Sequence, residues 1–174
     1  ALPEIESRVG PVTVLLGGEG PHRAELEAMA RSRVIDSNVR FLGRRSDVAE
    51  LISLCSLLVL PSLAESFGFV LVEAMSLGKT VVASTTGGIP EVVDHEKTGL
   101  LVPLADSEQL AGAISRVLQS PEWARELGEE GRKRAARFSF DNMMRGYEAV
   151  YERVLSPVQK TTLASPVNES GLPG

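Results

Sequence analysis

Two glutamates, Glu65 and Glu73, stand eight positions apart in ESFGFVLVEAMSLGK, residues 65 to 79. Carboxylates suit two kinds of chemistry here: accepting hydrogen bonds from the hydroxyls of a ligand, or serving as a paired-carboxylate catalytic site. On one continuous helix, steps of about 100° would leave the two side chains about 80° apart, on loosely related faces. The surrounding residues predict another arrangement. LLVLPS ahead of Glu65 reads as an apolar strand ending at Pro61, and after Gly68 the pattern Phe69, Leu71, Val72, Met75 reads as a helix stopped by Gly78. Glu65 then lies in a loop at the carboxyl end of a strand, and Glu73 just over one turn into the helix. Helical side chains lean toward the amino terminus, so both carboxylates are expected to face one crevice. The free N–H groups of the helix start lie between them and suit an anion such as a phosphate. Glu73 sits in an otherwise apolar run, which predicts that it is mostly buried and needs partners.

The elements that must position this stretch follow a repeating pattern. Residues 1 to 10 read as the end of a helix broken by Gly10-Pro11, and Val12 to Leu16 as a buried strand that runs into Gly17, Gly18, Glu19, Gly20 and Pro21. A glycine loop between a strand and a helix (Ala24, Leu26, Met29, Ala30) lets backbone approach a ligand, which makes Gly18 a weak candidate contact. GGEGPH lacks the spacing of a dinucleotide fingerprint, and a βα turn without a ligand explains it equally well. Asn38 to Leu42 is the next strand, with Arg44 and Arg45 at its carboxyl end and Ser46 or Asp47 capping a helix from Val48 to Leu54. The arginines are either solvated loop charges or contacts for a ligand's base or phosphate. Leu57 to Leu60 delivers the Glu65 loop, residues 79 to 83 open another strand, and STTGGIPE (84 to 91) is a glycine turn into a short helix. Gly99 to Val102 is the last strand. Asp106 with Gln109 resembles a capping box ahead of the stripe Leu110, Ile114, Val117, Leu118. Pro121 opens a helix with Trp123 and Leu127 as packing residues, and Arg132, Lys133, Arg134 and Arg137 read as a solvated basic face. Ser139 is expected to cap a last helix carrying Phe140, Met143, Met144, Tyr147, Val150, Tyr151 and Val154. That stripe fits either this domain's own sheet or a neighbouring domain. Residues 156 to 174 lose all periodicity and predict a disordered tail.

Composition narrows the class. With 174 residues, 43% hydrophobic and 24% charged, the chain fits one α/β domain with a full core, over residues 1–155. Eighteen basic against twenty-three acidic residues gives a net charge of −5, with 5% aromatics and no basic stripe, which argues against nucleic acid. A single cysteine, Cys55, excludes an internal disulfide framework and reads as a small buried packing residue. His22 reads as a surface residue and His95 as part of a hydrophilic turn, so no transition-metal site is expected. No apolar run approaches the roughly 18 residues of a membrane span. A cytoplasmic location is the expectation, although a chain starting at Ala1 reads as a piece of a longer protein whose targeting segment would lie elsewhere. About five or six strands alternating with helices predict a Rossmann-like, doubly wound parallel sheet, with the Gly17, Arg44, Glu65 and Gly87 loops converging on one crevice beyond the strands' carboxyl ends.

The succession GGEGPHRAELE, NVRFLGRRSDVAELI, LLVLPSLAESFGFVLVEAMSLGKTVVASTTGGIPEVVDHEKTGLLVP and RFSFDNM resembles the carboxy-terminal, donor-binding domain of retaining, nucleotide-sugar-dependent glycosyltransferases of the GT-B fold, family 4. The resemblance runs from about Val12 to Leu155. It implies that Glu65 binds donor-sugar hydroxyls at the reacting end and Glu73 the ribose hydroxyls. It implies too that backbone at Phe67, Gly68 and Phe69 meets the sugar, backbone at Val70 and Leu71 the diphosphate, and the Arg44–Arg45 loop the base. Neither glutamate need be a nucleophile, and no metal or other cofactor is required. The implied partners are a nucleotide sugar and an amino-terminal GT-B domain, through which peripheral membrane contact could occur. The strand with an Arg and Lys that opens such domains is not found ahead of Val12, so the chain alone is expected to bind donor weakly and not to turn over. The same residues would also serve a GT-B nucleotide-sugar epimerase or a non-catalytic nucleotide-sugar-binding module.

Overall fold

Short aliphatic runs cut off by Gly, Pro or Ser set the element lengths. The computed structural model describes residues 1–33, 35 and 37–155. Helix α1 (Leu2–Val9) precedes strand β1 (Val14–Gly17), followed by α2 (Arg23–Ser32), β2 (Val39–Gly43), α3 (Val48–Leu54), β3 (Leu57–Leu60), α4 (Phe69–Ser76) and β4 (Thr80–Ser84). Then come α5 (Ile89–Val92), β5 (Leu100–Val102), α6 (Ser107–Gln119), α7 (Pro121–Ala135), a 3-10 turn (Ala136–Phe138) and α8 (Phe140–Leu155). The expected alternation is present. β1 starts two residues later than the apolar run does, because the Val12 N–H donates to Glu6 Oε1 (3.4 Å) while Val14 N–H joins Asn38 O (2.8 Å).

All strand pairs are parallel, with Val14 opposite Val39, Leu58 opposite Val81, and Ala83 opposite Leu101. The strands form two hydrogen-bonded groups, β1-β2 and β3-β4-β5, and no pairing joins β1 to β3 among the described residues. Each group steps outward in chain order, as the halves of a doubly wound sheet do. In the second group, alternation along the strands divides the core between two faces. Leu58, Leu60, Val81, Ala83 and Leu101 pack with Ile52 of α3, Leu71, Ala74 and Met75 of α4, and Ile89 and Val92 of α5. Leu57, Val59, Val82, Leu100 and Val102 pack with Ile5 of α1 and Ala111, Ile114 and Val117 of α6. Helices on both faces explain why all five residues of β4 are buried. α1 reaches further than this cluster: Glu6 Oε1 also accepts from Asn38 Nδ2 (2.6 Å), just ahead of β2.

Several local expectations hold and some change. Asp106 caps α6, its carboxylate accepting from the Gln109 backbone N–H and from Gln109 Nε2 (both 2.9 Å), which holds its carboxyl below the usual aspartate range. Asp47 occupies the cap position of α3, but its carboxylate turns to Arg45 (2.8 and 2.6 Å) instead of the helix N–H groups. Cys55 is half-buried and hydrogen-bonds Leu51 O through Sγ (3.2 Å). His95 Nδ1 accepts from the Leu101 N–H (3.0 Å), at the start of the β5 ladder. Arg134 is not part of a solvated face. Its side chain is 16% exposed; Nε donates to Val92 O (2.6 Å), Nη2 to Glu91 O (2.7 Å) and Nη1 to Asp94 Oδ2 (2.6 Å), so it closes the carbonyl end of α5.

Residues Ala1–Ser139 form one compact unit and α8 belongs to a second. Phe140, Met143, Met144, Tyr147, Val150, Tyr151 and Val154 lie along α8 and are exposed. The tail from residue 156 lies outside the described residues. No helix among those described is long and apolar enough to cross a membrane.

Candidate functional site

The loops after β1, β2, β3 and β4 all leave from the carboxyl ends of parallel strands, where ligands of such sheets bind. The structure brings them together in two pairs. After β1 and β2, the Gly18 N–H donates to Gly43 O (2.8 Å), so the glycine loop and the base of the arginine loop are tied. Beside them is a cavity of about 250 Å³ lined by Gly17, Gly18, Glu19, His22, Arg23 and Phe41. Arg23 stands over the Phe41 ring at 5.9 Å and pairs with Glu27 (2.9 Å). Arg44 and Arg45 are exposed, and Arg45 is engaged with Asp47, a contact that lifts its pKa above the ordinary arginine value.

After β3 and β4, the second pair carries the glutamates. β3 ends at Leu60, ahead of Pro61, and seven residues of irregular chain, 61–67, lead to Gly68, whose left-handed conformation (φ 83°) opens α4. Glu65 is half-buried, and its Oε1 accepts from the backbone N–H groups of Ser66 (3.1 Å) and Phe67 (3.5 Å). Leu71 N–H is already donated to Gly68 O (2.9 Å), which leaves Phe69 and Val70 at the head of the helix, where N–H groups have no carbonyl one turn back. Phe69 is 74% exposed and does not join the core; its ring leans on Phe67 at 4.8 Å, and Phe67 meets Phe138 edge-on at 5.5 Å. Glu73 also departs from expectation. It is exposed, because Leu71, Ala74 and Met75 take the buried face of α4 and Glu73 falls on the opposite one. Gly88 N–H donates to Glu65 O (3.2 Å) and Thr86 Oγ1 to Leu63 O (3.3 Å), so the turn after β4 holds the Glu65 loop. Sequence reasoning missed this contact and the role of Arg134; only the double glycine at 87 and 88 hinted at a close backbone approach.

Comparison with known proteins agrees with this layout. Residues 1–134 match the family described as Glycosyl transferases group 1. The N-acetyl-alpha-D-glucosaminyl L-malate synthase of Bacillus anthracis is 36% identical over 143 residues, 82% of this chain and 38% of that protein. Among solved structures, Anabaena HepE in complex with UDP superposes with a TM-score of 0.77 at 29% identity, over 86% of this chain and 44% of that one. Sucrose-phosphate synthase from Thermosynechococcus elongatus superposes with a TM-score of 0.73 at 37% identity, over 80% of this chain and 38% of that one. The chain thus spans well under half the length of the relatives it matches. Its strand order, its covered β4 and these superpositions make it a Rossmann-like half of a GT-B fold, and the chain belongs to the group 1 glycosyltransferase family.

Proposed function

We propose that this chain is the donor-binding half of a retaining glycosyltransferase that moves a hexose from a nucleoside diphosphate sugar to an acceptor hydroxyl. The observation that carries the reading is the approach to α4: a half-buried Glu65 carboxylate that accepts from the Ser66 and Phe67 N–H groups, followed at left-handed Gly68 by a helix start with no side-chain cap. Glu65 would accept hydrogen bonds from hydroxyls of the donor sugar, and Phe67, Gly68 and Phe69 would meet it through backbone. The N–H groups at Phe69 and Val70 would face the diphosphate, with Leu71 adding helix dipole and no free donor. Glu73, exposed one turn further on, would take the ribose hydroxyls, and the Gly18 and Arg44–Arg45 loops would border the base.

In transfer, the acceptor oxygen bonds to the anomeric carbon as the bond to the diphosphate oxygen breaks, the acceptor's proton passes to the departing phosphate, and the anomeric configuration is kept. Negative charge grows on the departing nucleoside diphosphate. A fixed helix start stabilises that charge at the moment it develops, without needing a metal ion or a protein nucleophile. The complex of the similar HepE with UDP-glucose supports the donor class. The acceptor site would belong to another domain, so the 174-residue chain would bind donor weakly and not turn over; the whole protein would work in the cytoplasm.

Glu65→Gln and Glu73→Gln, made separately in the full-length protein, test the assignment. Glu65→Gln should lower kcat/KM by roughly 100-fold or more. Glu73→Gln should weaken nucleotide affinity by roughly tenfold, the size of one good hydrogen bond. Calorimetry with uridine, guanosine and adenosine diphosphate sugars identifies the base. Unchanged kinetics in both variants, or efficient transfer by the 174-residue chain alone, would overturn the reading, and epimerised donor without acceptor would move it to another reaction class.

A further inference from the structure

The segment 61–68 has no ladder or helix of its own to hold it, yet it carries Glu65. Its shape is set from across a backbone contact. Gly88 N–H donates to Glu65 O (3.2 Å), and Thr86 Oγ1 donates to Leu63 O (3.3 Å). A Cβ on Gly87 would lie 1.8 Å from Glu65 O, and a Cβ on Gly88 would lie 2.2 Å from Ser66 O and 3.4 Å from Phe67 Cα. Gly87 has φ 49°, so its glycine answers partly to conformation. Gly88 does not: at φ −80°, ψ −4° any residue could adopt the backbone, and only the missing space against Ser66 excludes a side chain.

The two sides of this contact are unequal. Behind Gly87 and Gly88, the Thr85 N–H and Oγ1 both donate to Val102 O (2.8 and 3.2 Å), the Ile89 N–H donates to Thr86 O (3.1 Å), and Ile89 and Val92 are fully buried. Arg134 closes the far end of α5. On the other side, Leu63 is 72% exposed and, among the described residues, the Glu65 carboxylate holds its own neighbouring N–H groups alone. The braced turn dictates and the loop follows.

We infer that Gly88, with Gly87 and Thr86 beside it, is a positioning residue for Glu65: the absence of a side chain at 88 fixes where the loop backbone lies, and so where the carboxylate meets the donor sugar. This rests on the donor-binding reading above. A methyl group at 88 requires the Ser66 carbonyl to retreat by about 1.2 Å, from 2.2 to 3.4 Å, before contact becomes ordinary. Misplacement of that size is enough to cost about 100-fold in a reaction that depends on near-attack geometry.

The test compares Gly88→Ala, Thr86→Val and wild type in the full-length protein. A second set carries Gly112→Ala, a mid-helix change in α6 whose Cβ meets only ordinary space and which should add stability, keeping each variant folded. Gly88→Ala should speed amide exchange at Ser66 and Phe67 by about tenfold or more while the β4 amides keep their protection. It should also lower sugar transfer by about 100-fold with free nucleoside diphosphate affinity nearly unchanged, and Thr86→Val should do the same to a lesser degree. If exchange at Ser66 and Phe67 does not change, the contact does not set the loop and the inference fails. If exchange quickens but transfer and diphosphate binding fall together or not at all, the contact is structural only, and the positioning role is refuted. If wild type neither binds nor transfers a nucleotide sugar, the donor reading itself falls and takes the role with it, while the exchange result still reports whether the loop is held.

Discussion

Removing the Arg134 guanidinium should loosen α5, the short helix that follows the turn holding the Glu65 loop. Its three donors reach Val92 O, Glu91 O and Asp94 Oδ2 at 2.6, 2.7 and 2.6 Å, from a side chain only 16% exposed. α5 has four residues, too few to satisfy its own terminal carbonyls, and Arg134 supplies the partners. Hydrogen bonds from a charged donor contribute about 1.5–3 kcal/mol net each, and the two carbonyls set the scale. Asp94 is 41% exposed and turns to water when released, so the ion pair adds at most about 1 kcal/mol. Arg134→Ala should therefore cost about 3 kcal/mol, or roughly 10 °C in Tm for a domain of this size. Arg134→Lys keeps the charge but not the planar fork and should recover only about 1 kcal/mol of that loss. Urea titration should show a lower midpoint with an unchanged slope. A loss below about 0.5 kcal/mol, the level of an ordinary surface substitution, would refute the account, as would full rescue by lysine.

Three further outcomes are expected. Met75→Ala removes a fully buried side chain between α4 and α7 and should cost about 3 kcal/mol, whereas Met144→Ala on the exposed face of α8 should fall within about 0.5 kcal/mol; urea midpoints decide both. Asp106 has a lowered carboxyl pKa in the folded state because it accepts the Gln109 N–H groups, so its contribution to stability is complete above the unfolded value near 3.9 and is lost as pH falls through the lower folded value. The gap in urea midpoint between wild type and Asp106→Ala should hold from neutral pH down to about 5 and close below about 4. Chelation with EDTA should leave donor affinity of the full-length protein unchanged, and a loss restored by adding a divalent cation would contradict the helix-start account of charge stabilisation.

Most elements were legible because their signals are local. The strand LLVL before Pro61, the helix opening after Gly68 and the Asp106 cap each depend on residues within one turn of one another, and each lies where its pattern places it. The misreadings concern side chains whose environment is set from far along the chain. Glu73 looked buried because its neighbours are apolar, but helical period outweighs local composition and turns it outward. Arg134 looked solvated inside a basic run, and nothing nearby announces that Glu91 and Val92, more than forty positions earlier, need its donors. The aromatic stripe of α8 has the period of a packed helix, and periodicity alone does not say what covers it.

The division of the strands into two groups has a consequence for how the molecule opens. Among the described residues no ladder connects β1-β2 with β3-β4-β5; α1 does, with Ile5 in the core of the second group and Glu6 holding Asn38 just ahead of β2. Three of the four β1 residues are exposed, whereas every β4 residue is buried. The two groups are therefore expected to be separate cooperative units, the first opening at a lower free energy and exchanging its amides sooner. A ligand held by Glu65 and Glu73 at one end and by the Gly18 and Arg44 loops at the other would meet a rigid jaw and a yielding one. Ordering the yielding jaw would be charged against the base, so affinity for the nucleotide would report on that fold's local stability as much as on its contacts.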